Sequence, residues 1–582
     1  MERTREAYMA IYKQWCENPY FDLETQEELR AIEGNDAEIK ERFVQDLSFG
    51  TGGLRAERAA GSNRMNLYTI SQATEGFARY IDRLGEAAKK RGVAISYDSR
   101  IMSPEFALRA ALVFAAHGIK VYLSDILRPT PMLSFAVRHF SCVGGVMVTA
   151  SHNPAKYNGY KAYGEDGGQM PPDAAEIVMD EMSKIDDLST IQYLSEEEAQ
   201  AAGLLEYFGE EFDRVYTDML LGLRINPDMV EKHSDLKIVY TPLHGAGNLP
   251  VQRILHESGF KQVFVVPEQE AADGNFPTVP YPNPEERAAL ELAIQLAERE
   301  SASLVVATDP DGDRTGLVVR LNNGEYQVLT GNQIGLLLMD YILGAKQKRG
   351  ILEPKSFCAT TIVSTRLAKK VCDYYGVTLF EVLTGFKYIG ELMEKLDEHG
   401  DMHFQFGFEE SYGYLTGLDV RDKDAVVSTM LICELAATLK DEDKTLADRL
   451  EELYKCHGYG LEKTISLTFE GLEGMNKIKQ CLNSLRADNS FALESSKIQA
   501  RRDYLSSERF DLASSTTSQL TLPKSNVLLY ELEGLDWACV RPSGTEPKLK
   551  VYFGAYAPER DSCAKRLEAI STEFEAKLRE FL

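Results

Sequence analysis

Asp309, Asp311 and Asp313 occupy alternate positions in the stretch ATDPDGDRTG, with Pro310 and Gly312 between them. Three carboxylates at two-residue spacing in a turn can converge on one hard cation that prefers oxygen ligands. The loop begins like an EF-hand, but its sixth position is Arg314, where a calcium loop needs glycine, and its twelfth is Arg320, where it needs a bidentate glutamate. That reading is excluded. Octahedral Mg²⁺ would need a further oxygen, commonly from a phosphate. Arg314, next to the carboxylates, can hold a second phosphate oxygen through its fork of donors.

A second chemical cluster is VMVTASHNPAKYNGYKAYG, residues 146–164, in which an apolar run ends on Ser151, His152, Asn153 and Pro154. No Gly-x-Ser-x-Gly elbow surrounds Ser151, which argues against an esterase nucleophile. A phosphoryl group on Ser151 would supply the oxygen that the three aspartates lack, and the cation would offset the repulsion between them. His152 can hydrogen-bond phosphoryl or sugar oxygens, and Lys161 can act as a base or neutralise phosphate. A third cluster, CVRPSGTEPK, offers the guanidinium of Arg541 with the hydroxyls and close backbone amides of Ser543, Gly544 and Thr545, an arrangement suited to cradling an anion.

The elements that must position these loops follow one repeated order. VAISYDS (93–99), SPEFALRAALVFAAHGI, VYLSD, PTPMLSFAVRHF and GGVMVTA alternate strand and helix as βαβαβ. The order restarts at LKIVYTP (236–242) and ends on SLVVAT, then runs a third time from SFCATTIVS to MHFQFGF. Each pass closes on a polar loop, TASHNP, TDPDGDR or GFEESYGY, and parallel sheets bind ligands beyond the carboxyl ends of their strands. The expected fold is α/β: three α/β domains with mixed or parallel sheets, plus a smaller C-terminal α+β domain, around a central cleft. The expected boundaries are 1–205 with the serine loop, 206–324 with the carboxylate loop, 325–458 with the GFEES loop and 459–582 with the anion loop.

The formal net charge of −26 from 64 basic and 90 acidic side chains argues against nucleic acid or an anionic membrane as partner, while leaving room for a small anionic ligand. Nine scattered cysteines show no C-x-x-C pair, so neither a disulfide framework nor a zinc site is expected. No apolar run approaches a membrane span. The first twenty residues lack the apolar core of a secretory signal. The expected location is cytoplasmic, and the expected assembly a monomer or homodimer.

Taken in order, FGTGGLR (49–55), TASHNP…NGYK, DPDGDR, GFEES and RPSGTEPK resemble the α-D-phosphohexomutase superfamily over nearly the whole chain. The resemblance implies that Ser151 is the phosphorylated serine, Asp309, Asp311 and Asp313 the Mg²⁺ ligands, and Arg314 and Arg55 arginines at the transferring group. It also implies that Glu409 and Ser411 bind sugar hydroxyls and that Thr384, Gly385 and Phe386 form a specificity loop. Lys423 matches a lysine near the reacting hydroxyl. Lys161 is the preferred general base and Lys423 its rival.

The implied activity is transfer of phosphate between two positions of a sugar, through a phosphoserine and a sugar bisphosphate. The serine loop resembles the branch containing bacterial phosphoglucomutases and phosphopentomutases. Tyr412, Gly413 and Tyr414 follow Ser411, without the glycine-histidine of dual-specificity phosphomannomutases. Glucose 1-phosphate and glucose 6-phosphate are therefore the expected pair, with glucose 1,6-bisphosphate as intermediate and activator; pentose and mannose phosphates are the alternatives. Two remoter readings are an aspartyl-phosphate phosphatase with Asp309 as nucleophile and a non-catalytic sugar-phosphate-binding protein.

Overall fold

The structure is a computed structural model that describes residues 3–49, 52–469, 471–488, 490–542 and 548–581. The chain divides into two compact units, one made of Met1–Leu329, Gly390–Lys395 and Gly413–Asp441, the other of Thr330–Ile389, Leu396–Tyr412 and Glu442–Leu582.

In the first unit, a six-stranded sheet has the order 53–57, 157–164, 144–148, 93–97, 121–124, 205–208. Its last four strands run parallel. Gly53–Glu57 and Tyr157–Gly164 are antiparallel additions at the other edge. The parallel strands Val93–Tyr97 and Gly144–Val148 are buried along almost their whole length, as expected of strands covered on both faces. Phe77, Phe106 and Phe114 fill the core against them and are essentially solvent-free. Truncating one of these to alanine would cost about 3–5 kcal/mol.

The second sheet has the order 326–328, 315–320, 304–308, 237–241, 262–265. The three strands farthest from the chain's 326–328 hairpin are parallel, and the hairpin strands are antiparallel.

In the second unit, Thr378–Val382, Ser356–Thr361 and His403–Glu409 run parallel. A seven-stranded antiparallel sheet, 459–468, 548–557, 537–542, 528–532, 498–503, 508–511, 516–519, closes the chain. Helix Arg560–Arg579 buries Cys563, Ile570, Phe574 and Leu578 in the core of that last sheet.

Strand pairing runs across two of the expected boundaries. Leu205–Phe208 pairs with Val121–Ser124, so the first sheet continues past residue 205. Tyr326–Val328 pairs with Thr315–Arg320, so the second sheet continues past 324. Residues 413–441 group by contact with the first unit, where helix Ala425–Lys440 packs on Asn248–Ser258. That helix is apolar almost all round, so neither its periodicity nor its polarity indicates which neighbours cover it. The chain also opens with three short helices, 5–17, 23–31 and 36–43, whose Tyr8, Tyr12, Trp15 and Phe43 cluster on Tyr68 together with Phe21 from between the first two. Among the described residues no helix is long and apolar enough to cross a membrane.

Helices Leu67–Leu84 and Ser103–Ala116 are joined at one end by His117, whose ring nitrogens lie 2.9 Å from Glu75 Oε2 and 2.8 Å from Asp82 Oδ2. Burial disfavours the imidazolium, but the two carboxylates outweigh it and raise its pKa. A pKa raised by folding adds stability that is complete below the unfolded value of about 6.5 and lost as pH rises through the folded value. Thermal melts across pH 6–9 are therefore expected to show His117→Gln converging on the unsubstituted protein at the alkaline end and falling below it at the acidic end.

Candidate active site

Gly144–Val148 delivers the serine loop at its carboxyl end, and Tyr157–Gly164 takes the chain away antiparallel to it. Ser151 is buried and holds a left-handed backbone, φ 51°, uncommon for a residue with a Cβ. Its N–H donates to Thr149 Oγ1 at 2.8 Å. Its Oγ donates to Asp309 Oδ2 at 2.9 Å and lies 3.1 Å from His152 Nδ1. Burial, together with the cationic Arg314 and Arg55, holds the His152 pKa well below the usual imidazole value, so the ring is neutral.

Leu304–Thr308, buried throughout, ends on Asp309 and turns through Gly312, whose φ of +61° suits a residue without a side chain. A Cβ there would also meet Pro129 Cβ at 2.6 Å. Asp309 Oδ1 accepts the N–H groups of Asp313 and Arg314, both at 3.1 Å, which closes the loop on itself. Asp311 Oδ2 accepts from Thr130 Oγ1 at 3.1 Å and from Lys161 Nζ at 2.7 Å. Asp313 Oδ2 lies 3.2 Å from Lys161 Nζ and 3.3 Å from Lys423 Nζ.

The ligand atoms of the three carboxylates lie within 4.8 Å of one another, and all three residues are buried. Burial, with Asp311 and Asp313 beside it, raises the Asp309 pKa well above the usual carboxylate range. Burial also opposes ionisation of Asp313, but Lys423, Lys161 and Arg314 outweigh it and hold that pKa low. Asp311 Oδ1 and Asp313 Oδ1 are buried without a hydrogen-bond partner. Orphaned carboxylate oxygens are costly unless a cation takes them. The cluster therefore fits a metal ion on its own chemistry.

Lys161 is on Tyr157–Gly164, opposite Gly53 and Met147. Burial disfavours its charge, but Asp311 and Asp313 outweigh burial and raise its pKa, so it stands as an ammonium. Lys423 Nζ is also 3.0 Å from Asp422 Oδ1, whose other oxygen accepts from Tyr163 at 2.9 Å and Gln169 at 3.1 Å. Arg55, on Gly53–Glu57, donates to Asn153 Oδ1 at 3.3 Å. Arg314 Nη1 donates to Glu285 Oε1 at 2.5 Å. Ser151, His152, Arg55, Lys161, Asp309, Asp311, Asp313, Arg314 and Lys423 thus share one constellation in the first unit.

Thr384, Gly385, Phe386, Glu409, Ser411 and Arg541 belong to the second unit. Glu409 closes the strand His403–Glu409, and Ser411 follows in the loop. Glu410 accepts from Thr361 Oγ1 at 3.0 Å, and burial with the adjacent Glu409 raises its pKa to about 7. Gly331 meets that loop so closely that a Cβ would lie 2.1 Å from the Glu410 carbonyl oxygen. Thr384, Gly385 and Phe386 follow the strand Thr378–Val382, with the Phe386 ring buried. Arg541 lies on Trp537–Pro542, paired with Lys550. Ser543, Gly544 and Thr545 lie outside the described residues.

Sequence reasoning missed Arg100, Asp98, Thr130 and Glu285. The first two stand just beyond the strand Val93–Tyr97, at a strand end like those of the three loops it singled out, so the same signal could have found them. Glu285 supports a prediction. Its carboxylate orients Arg314, and Glu285→Gln keeps the shape while removing the charge-assisted bond. The expected result is kcat lowered about tenfold in steady-state kinetics, the equivalent of ~1.4 kcal/mol.

The chain matches the phosphoglucomutase/phosphomannomutase α/β/α domain I over residues 46–189, domain II over 214–323 and domain III over 330–457. It is 39% identical over 539 residues to phosphoglucomutases of Staphylococcus aureus, strains MRSA252 and USA300, covering 92% of this chain and 94% of theirs. Its fold is similar to a putative phosphomannomutase from Thermus thermophilus, with TM-score 0.65 at 21% identity, over 92% of this chain and 99% of that one. The open form of pp63/parafusin, a phosphoglucomutase from Paramecium, matches with TM-score 0.67 at 17% identity, over 92% and 96% of the two chains. With three successive domains matched and nearly the full length aligned, the chain belongs to the phosphoglucomutase/phosphomannomutase family.

Proposed function

We propose that this protein is a phosphoglucomutase, an intramolecular phosphotransferase that interconverts glucose 1-phosphate and glucose 6-phosphate through a phosphoserine at residue 151. The observation that carries the reading is the Ser151 Oγ placed 2.9 Å from Asp309 Oδ2, beside two buried carboxylate oxygens with no hydrogen-bond partner. The identity to curated phosphoglucomutases over most of the chain supports the choice of glucose. All nine cysteines are free and eight of them are buried, in keeping with a reducing, cytoplasmic setting.

Asp309, Asp311, Asp313 and an oxygen of the phosphorylated serine would hold Mg²⁺, which would supply charge neutralisation at the transferring group. A hydroxyl of the bound sugar monophosphate attacks phosphorus; the new P–O bond forms as the bond to Ser151 Oγ breaks, and Oγ leaves and takes up a proton. Lys161 is the proposed base for the sugar hydroxyl, and for this it must give up a proton and its ion pairs with Asp311 and Asp313. Lys423 is the alternative.

Arg314 and Arg55 spread the charge on the equatorial oxygens, which is where the barrier to phosphoryl transfer is mainly lowered. The resulting glucose 1,6-bisphosphate returns its other phosphate to Ser151 and leaves as the isomeric monophosphate. Neutral His152 can donate to a phosphoryl oxygen. Glu409 and Ser411 are the proposed acceptor and donor for ring hydroxyls. Thr384, Gly385 and Phe386 line the sugar, and Arg541, Ser543, Gly544 and Thr545 hold the phosphate that is not reacting.

Substrate choice is tested by kcat/KM for glucose 1-phosphate, mannose 1-phosphate and ribose 1-phosphate, each with a trace of its bisphosphate. Glucose 1-phosphate is expected to lead by at least ~10-fold; a lead for ribose or mannose 1-phosphate would reassign the substrate within the family.

A further inference from the structure

Ser151 is one of few residues with a side chain in the left-handed region, and a strained backbone of this kind persists only where its surroundings over-determine it. The carbonyls of its loop converge on one guanidinium. Arg100, 1% exposed, donates from Nη2 to the carbonyl oxygens of Ser151 and Asn153, both at 2.5 Å, and from Nη1 to those of Pro154 and Tyr157, both at 3.0 Å. Four carbonyls of one loop thus converge on a single planar fork, which an ammonium could not reproduce.

The charge is not left alone in the interior. Arg100 Nε lies 3.3 Å from Asp98 Oδ2, and its guanidinium sits 5.0 Å from the centre of the Phe276 ring. Asp98 Oδ2 also accepts from Thr149 Oγ1 at 2.6 Å, and Thr149 Oγ1 in turn accepts the Ser151 N–H. The other Asp98 oxygen accepts from Ser103 Oγ and from the Arg100 N–H, both at 2.9 Å. Ser151 is therefore gripped on both sides of its backbone: its carbonyl by Arg100, its N–H by Thr149, with Asp98 holding both grips.

We infer that Arg100, with Asp98 and Thr149, is a positioning device for phosphoryl transfer that fixes the Ser151 backbone so that Oγ points at Asp309. Arg100 spends its donors on the loop's carbonyls and acts through Ser151. The inference rests on the reading of Ser151 as the phosphoryl carrier. It goes beyond that reading in making the rate of transfer depend on residues that approach the reaction only through the loop's backbone.

The test is the rate at which radiolabelled phosphate moves from glucose 1,6-bisphosphate to the protein with Mg²⁺ present, alongside steady-state kinetics and thermal melts. The variants are Arg100→Lys, Arg100→Met and Thr149→Val. A misplacement of about 1 Å can cost ~100-fold in rate. The expected loss is ~100-fold for Arg100→Met and ~10-fold for Arg100→Lys and Thr149→Val, in transfer and kcat alike, with KM for glucose 1-phosphate within about threefold.

If Arg100→Met does not fold, the other two variants decide. Folded Arg100→Lys and Thr149→Val that transfer at the unsubstituted rate would overturn the inference, as would a loss confined to KM or to melting temperature. No label on the unsubstituted protein would instead refute Ser151 as the carrier.

Discussion

Ser151→Ala is expected to lower kcat for glucose 1-phosphate at least ~10⁴-fold, because the variant has no atom on which to carry the phosphoryl group between the two halves of the reaction. Alanine tolerates φ 51° no worse than serine does, and the substitution removes the hydroxyl's hydrogen bonds to Asp309 and His152 while leaving the backbone bonds in place, so the melting temperature should stay within a few degrees. Binding of glucose 6-phosphate, measured by calorimetry, should change by no more than a few-fold, since the groups proposed to hold the sugar and the distal phosphate are untouched. Turnover collapsing while binding persists separates a carrier from a binding residue. Isomerase activity surviving in the variant would remove Ser151 from the mechanism and revive an aspartyl nucleophile at Asp309.

Asp309→Asn is expected to split stability from activity. The native carboxylate is buried, and its ionisation is opposed by burial and by Asp311 and Asp313. Asparagine keeps an oxygen for the N–H groups of Asp313 and Arg314 and removes one charge from the cluster. Without metal, the variant should therefore melt higher, by the ~0.5–2 kcal/mol typical of relieving strain at a functional site.

The sign with pH follows from a carboxyl whose pKa is raised by folding. Its ionised form destabilises, so the gain is present at neutral pH and shrinks as pH falls toward the unfolded value of about 3.9. Activity should fall ~10³-fold, and the Mg²⁺ concentration for half-maximal rate should rise, since one anionic ligand is lost. An Asp309→Asn protein that is less stable without metal at pH 7 would show that the aspartates are held by the fold without mutual repulsion.

The loops that carry the chemistry were legible because each combines an apolar strand with an abrupt polar end, a pattern that the backbone geometry of a parallel sheet converts directly into position. The spacing of Asp309, Asp311 and Asp313 anticipated the convergence of their carboxylates because neighbours in a tight turn stay neighbours in space. Arg100 stands at such a strand end too, but its role was hidden. The four carbonyls it holds lie more than fifty residues away, and backbone carbonyls leave no trace in side-chain composition. Thr130 and Glu285 were missed likewise, since each reaches its partner only through tertiary packing.

The tail shows how far local signals go. The expected α+β character of the C-terminal domain is met by the strands 528–532, 537–542 and 548–557 and by helix Arg560–Arg579. Thr516–Gln519, exposed along its whole length, carries no alternating hydrophobicity and joins the sheet only by pairing with Glu508–Asp511.

The most direct test of the central claim is to incubate the protein with labelled glucose 1,6-bisphosphate and Mg²⁺, treat it with hydroxylamine, and map the labelled peptide by mass spectrometry. The account predicts one phosphoryl group on Ser151, resistant to hydroxylamine and absent when the metal is chelated. A hydroxylamine-labile phosphate on Asp309, or a stable one on any other residue, would contradict it.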